Sequence, residues 1–150
     1  MEKLKIYLDN CCYNRPFDDF SIEKNEVEAK AKMYIQSLVK YKSVSLYYSF
    51  MSLIEIDESP YEERKECILG FVESNAVGYV GEKRFSEVET LADEIMQTGI
   101  KKKDATHLTC SIIAKCDYFI TTDGRVTKHK TDKIKIINPI DFVKIWGDMQ

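Results

Sequence analysis

The sequence predicts an α/β fold, a central and mostly parallel sheet covered on both faces by helices. Short segments rich in β-branched and aromatic residues alternate along the chain with longer amphipathic stretches, and the first such unit reads strand, helix, strand. A length of 150 residues and a composition 44% hydrophobic and 31% charged predict one globular domain with a substantial core. The same figures exclude a collagenous, low-complexity or disordered chain.

Lys5 to Leu8 is a short apolar segment ending in Asp-Asn, Val44 to Tyr48 is a second, and both read as strands. Between them Val27, Ala31, Tyr34, Leu38 and Tyr41 step at helical spacing, which predicts a helix with this stripe facing the core. Ser49 is placed to cap a short helix running through Glu55, and Pro60 suits the first turn of a helix over Pro60 to Val72. Val77 to Val80 reads as a third strand. A helix from about Glu82 to Gln97 then aligns Phe85, Val88, Leu91 or Ala92, and Ile95, and ends near Gly99. Asp104 opens a helix reaching about Cys116. Tyr118 to Thr121 is a strand breaking at Thr122-Asp123-Gly124, Lys135 to Ile137 is the last strand, and Pro139 starts a terminal helix carrying Phe142, Val143 and Trp146.

Several functional classes drop out. No run exceeds three consecutive hydrophobic residues, which leaves neither a membrane span nor the apolar heart of a secretory signal, and a cytoplasmic protein is expected. Cys11, Cys12, Cys67, Cys110 and Cys116 form no CxxC pair, and the two histidines, His107 and His129, do not complete a structural zinc pattern; thiol chemistry is not expected either. The net charge of -3 conceals an asymmetry, because residues 1–100 hold 12 Lys and Arg against 19 Asp and Glu, whereas residues 101–135 hold nine basic against four acidic. The basic stretch reads either as a phosphate-facing patch or as a solvated surface.

In an open parallel sheet the carboxyl ends of the strands form one rim, and ligands bind where the strand order reverses. Asp9 leaves the first strand there, and Asp123 leaves the strand ending at Thr121. Asp104 lies in the first turn of a crossover helix that starts on the same rim, and Glu55 leans in from the short helix after the second strand. At about 6 Å and an effective dielectric near 20, each ionised pair among them costs roughly 3 kcal/mol. Mg²⁺ or Mn²⁺ offsets that repulsion, and such an ion suits phosphodiester hydrolysis by polarising the phosphoryl oxygen. Each acid also has a plainer reading: Asp104 as a helix cap, Asp123 as a turn residue, Asp9 as the start of an Asx turn, Glu55 as a surface acid like Asp57 and Glu58.

The segments Ile6-Tyr7-Leu8-Asp9-Asn10, Ser49 through Leu53-Ile54-Glu55, Lys103-Asp104-Ala105-Thr106-His107-Leu108 and Phe119-Ile120-Thr121-Thr122-Asp123, in this order, resemble the motifs of the PIN-domain family. That family comprises small metal-dependent nucleases and includes the VapC-type toxin ribonucleases of prokaryotic toxin–antitoxin pairs. Leu8 to Asp19, LDNCCYNRPFDD, further resembles a subgroup of short prokaryotic PIN proteins. The resemblance implies a three-layer α/β/α sandwich, dependence on Mg²⁺ or Mn²⁺, single-stranded RNA as substrate, an antitoxin partner and a homodimer. It matches Asp9, Glu55, Asp104 and Asp123 to the family's acidic quartet as catalytic and metal-binding residues. Asn10 departs from the Thr or Ser that commonly follows the first Asp, which puts its role and the catalytic vigour in doubt.

Around the quartet, Asn10, Arg15, Lys103, Arg125 and Lys128 are candidate substrate contacts, with Asn14, Lys101, Lys102 and Lys130 nearby. Arg15 reads equally as a surface or dimer contact. Tyr13 and Phe17 either stack an unpaired base or belong to the core. His107, one turn beyond Asp104, reads as a packed, hydrogen-bonded imidazole outside the catalytic set. Two other functions compete with a nuclease: a catalytically weak PIN-like module that binds RNA or protein, and a phosphatase or receiver-like protein using Asp9 as phosphoacceptor. Cys11 argues against the last, since it stands where a DxD motif needs its second aspartate.

Overall fold

A computed structural model describes residues 2–13 and 23–150 of the chain. Ile6, Tyr7 and Leu8 are apolar at successive positions, the pattern of a strand buried on both faces, and all three are buried. They belong to β1 (Lys5–Leu8), the middle of a five-stranded sheet with β2 (Ser45–Ser49), β3 (Gly78–Val80), β4 (Tyr118–Ile120) and β5 (Lys135–Ile137). The order is β3-β2-β1-β4-β5 and every pairing is parallel. Strand order therefore reverses between β1 and β4, and Asp9 and Thr121 leave those two strands side by side, with the Asp9 N–H bonded to the Ile120 carbonyl at 2.9 Å.

The helices are α1 (Glu23–Lys40), α2 (Phe50–Asp57), α3 (Glu62–Asn75), α4 (Phe85–Met96), α5 (Lys102–Ile113), α6 (Gly124–Thr127) and α7 (Pro139–Met149). Alternation along β1 divides the core in two. Ile6 and Leu8 pack with Ile35 and Val39 of α1, Val72 of α3 and Phe142 of α7, whereas Tyr7 packs with Val88 and Ala92 of α4 and Ala105 and Leu108 of α5. The result is the expected three-layer α/β/α sandwich. No helix among the described residues is long and apolar enough to cross a membrane.

The expected strands and helices are present, with shifted ends, a phase error in α1 and one misplaced residue in α4. The stripe assigned to α1 is rotated: Ala31 and Leu38 are buried, but Val27 (44% exposed), Tyr34 (44%) and Tyr41 (76%) face outward, and Ile35 and Val39 are the true core contacts. Phe85, likewise expected inside, is half exposed. The helix expected from Pro60 begins at Glu62, that from Glu82 starts with a 3-10 turn before Phe85, and that from Asp104 begins two residues earlier at Lys102 and stops at Ile113. Lys115, with φ of 60°, follows in the left-handed region and closes that end. Two short elements were not anticipated, a 3-10 turn at Asn10–Tyr13 and α6, which Asp123 caps by accepting the Arg125 N–H.

Candidate active site

The site assembles at the reversal in strand order. Asp9 is buried at the end of β1, and both its oxygens are engaged: Oδ1 accepts the Asn10 N–H at 2.8 Å and Oδ2 accepts the Thr121 hydroxyl at 2.7 Å. Thr121 Oγ1 in turn accepts the Asp123 N–H at 3.1 Å, so one hydroxyl joins the exits of β1 and β4. Ser49 caps α2 in a reciprocal box with Ser52, which fixes the helix that carries Glu55. Asn10 Nδ2 donates to the Ser52 carbonyl at 3.4 Å, tying the β1 exit to that helix.

Glu55 meets His107 of α5, whose Nε2 donates to Glu55 Oε1. A carboxylate only accepts, so Nε2 carries a proton toward Glu55, and the other ring nitrogen, Nδ1, lies 2.6 Å from Tyr7 Oη. Ser49 Oγ and Ser52 Oγ lie 2.7 and 3.1 Å from the same phenol oxygen. Among the described residues, Asp9, Glu55 and His107 form the one group of three or more potential ligands whose atoms all lie within 4.8 Å of one another. His107 is thus a packed, hydrogen-bonded imidazole, as expected, and its contact with Glu55 sets it against the carboxylates as a residue that orients them. Its spacing of three from Asp104, on one helical face, was the available signal; the decisive contacts with Tyr7 and Glu55 come from distant parts of the chain.

Asp104 and Asp123 stand outside this tight group but within its field. Burial first, then the charges of Asp9 and Asp123, raise the Asp104 pKa above the ordinary carboxylate value, with His107 pulling the other way. Lys103 forms an ion pair with Glu58 at 3.0 Å, so its ammonium is already engaged. Arg125 is largely exposed, 3.9 Å from Asp123, and Lys128 is exposed one turn further along. Tyr13 is buried edge-on against Phe71 with ring centres 6.2 Å apart, which places it in the core and not on a base-stacking surface. Arg15, Asn14 and Phe17 lie outside the described residues.

A cavity of about 360 Å³ opens beside Glu55 between the Asn10–Cys11 turn and α3, with Tyr61 and Arg64 on its far wall. Asn10 Oδ1 is buried there without a hydrogen-bond partner among the described residues. Two close carboxylates, a third carboxyl half-buried within their field and an orphaned amide oxygen make an oxygen-rich donor set that fits Mg²⁺ or Mn²⁺.

No family model matches the chain, and no curated protein matches it. Solved structures do. VapBC2 from Rickettsia felis, bound to a DNA fragment from its promoter, matches with a TM-score of 0.56 and 16% identity over 90% of this chain and 98% of that one. FitAB bound to the IR36 DNA fragment matches at 0.55 and 15% identity, covering 90% and 95% of the two chains. FitAcB from Neisseria gonorrhoeae matches at 0.51 and 15%, covering 89% and 97%. The fold is PIN-like. In this PIN-like fold the five-stranded sheet brings Asp9 to the rim from β1, Glu55 from α2 and His107 from α5, which answers why chemistry-bearing residues so far apart in sequence share one place.

Proposed function

We propose that the protein is a divalent-metal-dependent endoribonuclease that hydrolyses phosphodiester bonds of single-stranded RNA and acts as the toxin of a toxin–antitoxin pair. The observation that carries this reading is the meeting of Asp9 and Glu55 at the reversal in strand order, with the Asp104 pKa raised by burial and then by the charges of Asp9 and Asp123. Asp9, Glu55, Asp104 and Asp123 would hold Mg²⁺ or Mn²⁺, which when bound supplies Lewis acidity toward the phosphoryl oxygen. Thr121 and the Asn10 N–H fix the Asp9 carboxylate, and His107 fixes that of Glu55. Asp104, half-buried and within the field of Asp9 and Asp123, completes the carboxylate set that would hold the ion. Arg125 and Lys128, with Lys101 and Lys102 at the start of α5, are the cations available to the RNA backbone.

A labelled single-stranded RNA incubated with Mn²⁺ tests the reading. Wild type should cut it and Asp9→Asn should not; equal cutting by both discards the assignment, and metal binding without any cutting favours the binding module instead. The antitoxin surface we assign is the apolar cleft of about 290 Å³ between α2, α4 and α5, lined by Phe50, Met51, Ile54, Phe85 and Met96 and edged by three acids, Glu82, Glu89 and Asp93, against one base, Lys102. Its chemistry suits an apolar segment flanked by basic residues. A small neighbouring reading frame whose product co-purifies with wild type, suppresses cleavage, and is lost with Phe85→Lys would meet that expectation.

A further inference from the structure

Two thiols stand together in the wall of the candidate site. Cys11 and Cys12 are consecutive in the 3-10 turn Asn10–Tyr13, where successive side chains point about 120° apart. Their sulfurs nevertheless lie 3.9 Å from each other. Cys11 is partly buried and is among the residues lining the cavity of about 360 Å³ beside Glu55. Cys12 is buried directly behind it and bonds the Ile120 carbonyl at 3.4 Å. The Thr122 hydroxyl lies 3.1 Å from Cys11 Sγ. The remaining thiols are elsewhere: Cys67 is exposed on α3, and Cys110 and Cys116 are buried in the layer formed by α4 and α5.

We propose that Cys11 and Cys12 form a thiol-modification site at which a low-molecular-weight disulfide drives closure of a vicinal disulfide and so weakens the divalent-metal centre. In the first step the Cys11 sulfur attacks one sulfur of the small disulfide. The S–S bond breaks, a mixed disulfide forms on Cys11, and one small thiol leaves with the Cys11 proton. In the second, the Cys12 sulfur attacks the Cys11 sulfur and the second small thiol leaves with the Cys12 proton. The protein thiols lose two electrons and two protons, and the small disulfide takes up both.

The coupling to Asp9 follows from the contacts. Closing the sulfurs to the bond length of about 2.05 Å requires the turn to rearrange. That turn is held to the site by the Cys12 N–H on the Asp9 carbonyl at 2.8 Å and the Asn10 N–H on Asp9 Oδ1 at 2.8 Å. The bridge also removes the Cys12 thiol bond to Ile120, next to the Thr121 that clamps the other Asp9 oxygen. Both supports of one carboxylate are disturbed together. The thiol reaction is independent of the proposed nuclease activity, whereas its effect on metal binding rests on that reading.

The full chain carrying Cys67→Ser, incubated with oxidised glutathione, tests it. Intact mass should fall by two hydrogens, and peptide mapping should place the bridge at Cys11–Cys12. Cys12→Ser in the same background should stop at glutathione on Cys11, and Cys11→Ser should gain no bridge. Calorimetry should find Mn²⁺ bound about tenfold or more weakly after oxidation, with recovery on reduction by dithiothreitol. A wild-type pair that stays unreacted, or stops at the mixed disulfide, overturns the site. A bridge that leaves Mn²⁺ affinity unchanged overturns the coupling. If the reduced protein takes up no Mn²⁺, the metal reading fails, and the mass result alone decides the thiol site.

Discussion

Tyr7 shows how one phenol can support a site it does not enter. Its hydroxyl meets His107, Ser49 and Ser52, all buried, and through His107 it sets the orientation of Glu55. Tyr7→Phe keeps the ring and its stacking on Phe119 but leaves His107 Nδ1 without its hydroxyl partner. Denaturant unfolding should show a loss of about 1–3 kcal/mol, with Mn²⁺ affinity falling alongside. Asp104 makes the opposite prediction. An acid whose native pKa is raised binds its proton more tightly folded than unfolded, so the metal-free protein loses stability as pH rises from the ordinary carboxylate range through the raised value. Asp104→Asn removes that penalty. Without metal its melting temperature should exceed that of wild type at neutral pH and converge with it below the carboxylate range, while cleavage is lost; a lower melting temperature at neutral pH would contradict the proposed crowding of charge.

Among the elements, β3 depends on an approach that only glycine permits. Gly78 pairs with Tyr47 of β2, and a Cβ at Gly78 would stand 2.3 Å from the Tyr47 ring. Gly78→Ala should destabilise by about 1–3 kcal/mol, measurable as a lower denaturation midpoint with little change in slope. The strands were legible in sequence because three or four apolar residues bounded by Asp, Gly or Lys have few other uses, and β1 and β5 have the expected limits. The phase of α1 was not legible in the same way. Tyr34 and Tyr41 are amphipathic, and helical spacing alone does not say whether a tyrosine faces core or solvent; the true face instead includes buried Lys32 and Gln36, the latter donating to the Cys12 carbonyl at 2.8 Å. The convergence of Asp9 and Glu55 could be argued from strand exits, whereas the Tyr7–His107–Glu55 chain depends on side chains 100 and 52 residues apart and leaves no local pattern.

For the whole molecule, a centre that gathers carboxylates without a cation should be stabilised when one binds. If the proposed ion is Mn²⁺, a concentration a hundredfold above its dissociation constant should add about 2.7 kcal/mol to the unfolding free energy, read as a melting shift that Asp9→Asn abolishes. The position of β1 has a further consequence. The strand at the middle of the sheet is the one nearest the amino terminus, and its Asp9 waits for the Thr121 hydroxyl 112 residues later, whose own N–H then bonds the Ile137 carbonyl at 3.0 Å. During synthesis the Asp9 clamp therefore cannot close until Thr121 has been made, and the strand carrying Thr121 is not braced until Ile137 follows.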